Sequence, residues 1–315
     1  MDWTPTEMQS AIREVVGPIL KDDPAAWQAL ADAQVLDLES ELDIAALLIE
    51  VGTTGAHVPA LATLVLGAPI RRFGTAAPSG SILTAGLIET ARRDPRRPST
   101  RAQDGRLYGQ KICVPAADVA AQIVVPTTDG VYVAAMADCR VVLQQGTDGD
   151  ALGIVTFDGT PASKLGGDEV LDWWLPRIDV GICALLLGLS QQAVAMTATY
   201  VSERQQFGRP IGAFQAVQQR IADAWIDTQA MEVSLWQAAW RLSAGLDCAR
   251  EVGIARFHAA EGSARVLAAA QHLHGGFGFD RDYALHRYFL CARQHEFLLG
   301  GAEQQLEALG ALLAG

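Results

Sequence analysis

Lysine is nearly absent from this chain. Lys21, Lys111 and Lys164 are the only three in 315 residues, so 21 of the 24 basic residues are arginine. That is mostly a compositional bias, although arginine is also the better fork for phosphates. Against 36 acidic residues the formal net charge is −12, and no local basic run offsets it, which argues against a nucleic-acid backbone as partner. The five cysteines (Cys113, Cys139, Cys183, Cys248 and Cys291) lie far apart with no C-x-x-C pair, so they read as isolated thiols in a reducing compartment. No G-x-S-x-G, phosphate-loop or dinucleotide G-x-G-x-x-G fingerprint occurs: "GGFGFD" has the wrong spacing and no strand before it. Internal repeats and low-complexity tracts are missing too. The stretch "MDWTPTEMQSAIREVV" has an acid where a secretory leader needs a basic flank, which predicts a cytosolic chain.

What is present is a globular composition, half hydrophobic and about a fifth charged, in a chain longer than one typical core. Residues 1–75 are rich in Ala and Leu and read as a helical domain, opened by Thr4, Pro5 and Glu7 as a helix-start box. Turn punctuation follows at "GTTGAHVPA". From 76 to 175 the character changes to Gly, Pro, Asp and Thr, with short β-type runs "QIVVP", "GVYVAAM" and "ALGIVTF" separated by "TTDG" and "GTDGD". Residues 176–315 return to helix. Phe214, Val217, Ile221, Ala224, Thr228, Met231 and Leu235 recur at three- and four-residue spacing, as in an antiparallel bundle. A second long helix is expected from about Cys248 to His274. The uncharged run Val180–Ser202 is long enough to raise a membrane question, but its polar second half predicts a buried helix. The fold class is α+β, helical, then β, then helical.

Two stretches carry possible chemistry. In "SERQQFGRPIGAFQAVQQRIADAW" (202–225), Arg204 offers a rigid fork for a phosphate, Phe207 a flat apolar face and Gly208 an approachable backbone. The plainer alternative is a helix terminus with a solvated Arg and a core Phe. In "QHLHGGFGFD" (271–280), Gly275 and Gly276 follow a long helix. One left-handed glycine explains a helix end; the second, with Gly278, is surplus and suggests a ligand against the main chain. His272 and His274 lie two apart, on different helix faces, which argues against a metal pair.

Taken together, those stretches and the following "RDYALHRY" closely resemble the carboxyl-terminal domain of the acyl-CoA dehydrogenases (ACADs), with a fainter likeness over the whole chain. The resemblance implies a helical domain, a middle β-barrel-like domain and a C-terminal four-helix bundle. It also implies FAD between the last two domains and across a dimer interface, and α,β-dehydrogenation of a CoA thioester. It assigns Arg204 to the FAD pyrophosphate of a neighbouring subunit, Phe207 to packing on that cofactor, and Gly275–Gly276 to the adenine end, with Gln206 in the same motif. The family's usual Gln three residues before those glycines is His272 here.

The departures from the family pattern carry as much information. Its catalytic Glu falls on Leu299, which can take no proton. The alternative base position is Ile178, beside Asp179, the weak candidate; Glu296 and Glu303 lie three or four residues from Leu299. Where relatives carry a "TEPxAGSD"-like flavin loop, this chain reads "LTAGLIETARRDP" (83–95), with only Glu89 surviving. "GRLYGQKICVPAADVA" matches its family counterpart only in part. An intact donated half and an eroded retained half resemble the non-catalytic, β-type subunit of the heterotetrameric (α2β2) ACADs of bacterial steroid breakdown. The implied partners are a catalytic ACAD subunit, an acyl-CoA and an acceptor such as electron-transfer flavoprotein. Two rival expectations are a self-sufficient homotetramer using Asp179 or Glu303 as base, and a flavin-free helical scaffold.

Overall fold

The computed structural model describes residues 6–22, 25–74, 77–78 and 80–314. Four short-to-medium helices come first: α1 (Glu7–Asp22), α2 (Ala26–Asp32), α3 (Glu41–Thr54) and α4 (Ala68–Phe73). The start of α1 is a capping box, two residues beyond the expected one. The Gln9 N–H donates to Thr6 Oγ1 at 3.2 Å and the Thr6 N–H donates to Gln9 Oε1 at 3.1 Å. Two orphan helix donors are thereby satisfied reciprocally. Thr4 and Pro5 of the expected box lie outside the described residues.

Strands β1 (Leu83–Ala85), β2 (Arg101–Gln103), β3 (Arg106–Pro115), β4 (Gln122–Thr127), β5 (Gly130–Ala135), β6 (Arg140–Gln145) and β7 (Ala151–Gly166) form one sheet in the order β1-β4-β5-β7-β3-β2, with β6 also on β7. All three β-type runs of the sequence are strands here, and "TTDG" is the β4–β5 turn. β7 is the spine: its first part pairs with β6 on one edge and β3 on the other, and its last part pairs with β5. Among the described residues only the β1–β4 pair is parallel. Gly153, Val155 and Phe157 of β7 point alternately inward, as a half-buried strand requires, and meet Leu107, Val114, Ile123, Val125 and Tyr132 in one apolar core.

The remaining helices are α5 (Asp168–Glu203), α6 (Gln215–Ser243), α7 (Ala249–His274), α8 (Leu285–Leu299) and α9 (Ala302–Ala314). A two-strand ribbon, β8 (Gln205–Gln206) and β9 (Arg209–Pro210), lies between α5 and α6. α5 starts inside the zone read as β from sequence. Among the described residues it is the one helix long and apolar enough to cross a membrane, yet 72% of its most apolar window is buried inside the protein, as in a core helix. Met231 lies against Gly262, and Asp227 pairs with Arg265, so α6 and α7 run antiparallel. The apolar stripe of α6 is buried from Ala224 onward, while Phe214, Val217 and Ile221 stay half-buried.

The chain divides into two compact units. One holds α1, α3, α5 from Asp179 onward and everything C-terminal to it. The other holds α2 and residues 57–178, including α4 and the seven-stranded sheet. Within the first unit, α3 and α5 cross with their backbones nearly touching. A Cβ on Gly188 would lie 2.0 Å from the Ile49 carbonyl oxygen, and one on Gly52 would lie 2.3 Å from that of Leu185. Only glycine fits at that crossing.

Candidate functional site

α5 ends where the first motif begins. The Arg204 N–H still donates to the Tyr200 carbonyl (2.9 Å), and the Ile211 N–H closes the ribbon onto the Arg204 carbonyl (2.8 Å). At its tip Phe207 and Gly208 both take positive φ, +54° and +77°. Glycine adopts that region freely; for a bulky residue it costs about 1–3 kcal/mol. The strained Phe207 ring is 92% exposed and meets only the edge of Phe214, centroids 6.1 Å apart. Arg204 is exposed, has no carboxylate partner among the described residues, and holds its guanidinium 6.0 Å from the Phe277 ring centroid. Gln206 is exposed too, and its side-chain amide donates to the Gln205 carbonyl (2.7 Å).

The second motif lies on the same face. α7 ends at His274, and Gly275 has φ +59° and ψ −132°. The three glycines divide by cause. A Cβ on Gly278 would come within 2.6 Å of the Gln271 carbonyl oxygen, so the fold itself demands that glycine. Around Gly275 and Gly276 nothing lies within 4 Å of a Cβ. Gly276, with no clash to avoid, is therefore the surplus one, and Gly278 is not. His272 is exposed and His274 is buried. The His274 Nδ1–H donates to the Ala270 carbonyl (2.8 Å), which leaves Nε2 to accept from the Tyr283 hydroxyl (3.1 Å). Burial pushes the His274 pKa down, against the opposing pull of the Ala270 hydrogen bond, and favours the neutral ring.

Leu299, at the end of α8, is 3% exposed. Its carbonyl accepts from Gln305 Nε2 (2.6 Å) and more weakly from Arg256 Nη2 (3.4 Å). Arg256 also faces Asp179, with Nε 3.4 Å from Oδ1. Burial raises the Asp179 pKa to about 6, and Arg256 pulls the other way. Ile178 is buried and apolar. Glu296 pairs with Arg293 at 2.7 Å, and Glu303 is exposed in the first turn of α9.

In the sheet-bearing unit the surviving acid of the 83–95 loop points inward. Glu89 is 4% exposed and accepts from Lys111 Nζ (2.7 Å), Ser99 N (2.6 Å) and Oγ (2.5 Å), and Thr100 N (3.0 Å) and Oγ1 (2.7 Å). Burial alone would raise its pKa; the Lys111, Ser99 and Thr100 bonds outweigh it and hold the carboxyl well below the usual range. Lys111 is fully buried and passes over Gly86, where a Cβ would meet its Cγ at 2.6 Å.

Comparison with known proteins places this geometry. Residues 175–313 match the family model described as "Acyl-CoA dehydrogenase, C-terminal domain". The acyl-CoA dehydrogenase FadE28 of Mycobacterium tuberculosis is 32% identical over an alignment covering 99% of this chain and 98% of that one. This chain belongs to the acyl-CoA dehydrogenase family. Among solved structures, a chain of the ChsE4–ChsE5 complex from Mycobacterium tuberculosis superposes with a TM-score of 0.91 at 32% identity, covering 100% of this chain and 99% of that one. A chain of a variant of the Tcur3481–Tcur3483 steroid ACAD gives 0.91 at 32% identity, covering 98% of each.

ACADs are FAD-dependent, so the residues can be tested for fit to that dinucleotide. Its diphosphate needs donors not already engaged by protein carboxylates, and its ring systems need flat apolar faces. Among the described residues Arg204 has no carboxylate partner, Gly275–Gly276 expose open main chain, and Phe207 is an exposed ring on the ribbon that Arg204 opens. These residues fit the cofactor. The acid inventory fits an ACAD base less well: the position to which the resemblance assigns the base is a buried Leu, and Asp179 faces a guanidinium. Sequence reasoning had no sign of Arg256 as the group linking these two positions, because it lies far from both in the chain.

Proposed function

We propose that this chain is the non-catalytic, β-type subunit of a heteromeric, FAD-dependent ACAD, a soluble cytoplasmic enzyme that introduces an α,β double bond into a CoA thioester. One observation carries the reading. The face bearing Arg204, Phe207 and Gly275–Gly276 is exposed and uncommitted, while the base position is Leu299 and the flavin-loop remnant is folded onto Glu89. A chain with that asymmetry completes a neighbour's cofactor site and lacks the parts for its own. Arg204 would hold the FAD diphosphate, Phe207 would pack on the cofactor and Gly275–Gly276 would approach its adenine end, with Gln206 and His272 as further cofactor contacts.

When bound, FAD supplies the acceptor for the hydride leaving the β-carbon. The α-proton goes to a carboxylate of the catalytic partner, because Leu299 has no acceptor. The electrons then pass to an external acceptor such as electron-transfer flavoprotein. A steroid-derived acyl group is supported by the near full-length likeness to a steroid ACAD, and a two-protein assembly by the likeness to the ChsE4–ChsE5 complex.

The test is a comparison of the lone chain with the chain co-expressed beside a longer, Glu-bearing ACAD. The lone chain should be colourless or substoichiometric in FAD and inactive with CoA thioesters; the complex should be yellow and active. In the complex, Arg204→Ala should weaken FAD binding by roughly 10- to 150-fold, the value of a charge-assisted hydrogen bond. Asp179→Ala should leave turnover nearly unchanged. Full flavin occupancy and turnover in the lone chain, abolished by Asp179→Ala or Glu303→Ala, would establish the self-sufficient homotetramer instead. A complex that forms without FAD would establish the scaffold reading.

A further inference from the structure

His274 is a buried imidazole that the half-site reading leaves without a task. Its surroundings give it one. Tyr200, one turn before Arg204 on α5, stacks on the His274 ring at 4.3 Å between centroids, interplanar angle 25°. The Tyr200 hydroxyl donates to the His274 carbonyl at 3.3 Å, capping the last carbonyl of α7. On the other side, the Tyr283 hydroxyl donates to His274 Nε2, tying the segment that follows the Gly275–Phe279 turn back to the residue that precedes it. Phe277 fills the space between, 6.3 Å from Tyr200 and 6.5 Å from Tyr283, and carries the Arg204 guanidinium on its outer side. The neutral tautomer follows from the partners: Nδ1 faces a carbonyl and must donate, so Nε2 must accept.

We propose that Tyr200, His274 and Tyr283 form a clasp that sets the Gly275–Gly276 turn in register with Arg204, making all three positioning residues for a flavin dinucleotide held on this face. The proposal rests on the half-site reading. Nothing packs where a side chain on Gly275 or Gly276 would lie, and what holds the two is main-chain bonding of a single short turn, beginning with the Gly275 N–H on the His272 carbonyl. An unclasped turn of this kind is free to sample many conformations and would lose the ordering entropy each time a ligand binds. The clasp removes that freedom beforehand. The ligand meets a preset distance between a guanidinium at the end of α5 and open main chain at the end of α7.

The experiment uses Tyr283→Phe, which deletes one hydroxyl, together with His274→Leu and His274→Gln. Two readouts are needed: amide hydrogen exchange across 275–283 in the full chain alone, and FAD affinity of the chain co-assembled with its catalytic partner. Tyr283→Phe should speed exchange across the turn and weaken FAD about three- to tenfold, with the thermal midpoint moved by no more than about 2 °C. His274→Leu should do the same or more. His274→Gln, whose side-chain oxygen can accept from Tyr283, should restore both readouts toward wild type. Wild-type exchange and FAD affinity in Tyr283→Phe and His274→Leu, while Arg204→Ala still weakens FAD, would overturn the clasp and leave the half-site standing. If Arg204→Ala also leaves FAD affinity unchanged, the half-site reading fails and the clasp has no ligand to position.

Discussion

Arg204 and Glu89 each sit in a segment that resembles a flavin-contacting motif of the ACAD family, and their environments are opposite. Glu89 is engaged by Lys111, Ser99 and Thr100, all inside its own unit. Arg204 meets only the face of Phe277 and has no carboxylate among the described residues. A charged group whose hydrogen-bonding capacity is filled by its own fold has become part of the scaffold. A charged group left open, on a ribbon with a strained exposed aromatic and near a turn with two exposed glycines, is shaped for something outside the fold. Family resemblance marks both segments alike; the hydrogen-bond accounting separates them.

The strongest way to break this comparison is to attack the filled group. Lys111→Met removes one partner of a buried pair and leaves Glu89 charged and under-satisfied, which typically costs about 3–5 kcal/mol. Chemical denaturation of the chain should show that loss. Arg204→Ala should leave stability within about 0.5 kcal/mol while stripping FAD from the complex. Equal stability losses in both variants would erase the distinction.

Much of this molecule was legible in its sequence. The strands at 122–126, 130–136 and 151–157 announced themselves through β-branched runs bounded by Asp-Gly turns, and α6 and α7 through period and caps. The assignment of Arg204 and Gly275–Gly276 to one face came from the resemblance, and the chain of rings from Tyr200 to Phe277 gives it a local physical basis. Other features rest on partners distant in sequence, which no local pattern reports. Lys111 reaching Glu89, Arg256 reaching both Asp179 and Leu299, and Tyr200 reaching His274 are of this kind. Gly278, surplus by its sequence, is of the same kind: its need for glycine comes from the Gln271 backbone folding over it. α8 was hidden because the residues leading into it read as motif rather than as helix.

The Asp179–Arg256 pair sharpens the comparison inside the helical unit. The Asp179 carboxyl has a folded-state pKa of about 6 against an ordinary value of 3.8, raised by burial. The folded chain therefore binds more protons than the unfolded chain between those values, and stability falls as pH rises through that window. The contribution is fully present below about 3.8 and lost above about 6. Asp179→Asn should carry a constant offset from the weakened Arg256 pairing and lack this slope. Its stability relative to wild type should therefore rise by on the order of 2–3 kcal/mol between pH 4 and pH 6.5. A parallel pair of pH–stability curves would show that Asp179 titrates normally and is less committed than its geometry implies.

A smaller effect is expected at the tip of the ribbon. Phe207→Gly replaces a strained, exposed ring with the residue suited to φ +54°. Stability should increase by about 1 kcal/mol in the lone chain, and FAD binding in the complex should weaken because the flat face is gone. Opposite signs from one substitution would mark Phe207 as a residue kept at a cost to the fold. A variant that gains nothing in stability would show that the backbone there is relaxed.

The smallest expected effect is none, at Leu299. A general base contributes roughly 10²- to 10⁴-fold, but only within hydrogen-bond reach of the proton it takes. Leu299→Glu would place a carboxyl in a buried neighbourhood whose backbone carbonyl already contacts Arg256. It would do nothing for the 83–95 segment, whose surviving acid stays bound to Lys111. If the missing base were the sole defect, the lone Leu299→Glu chain would reduce an electron acceptor in the presence of some acyl-CoA. It should instead remain at background, and in the complex the rate should be unchanged, because the proposed reading gives the base to the partner. A gain in the lone chain would mean that the loop folded onto Glu89 still leaves room for flavin and thioester, and that the filled and open groups differ less than their hydrogen bonds indicate.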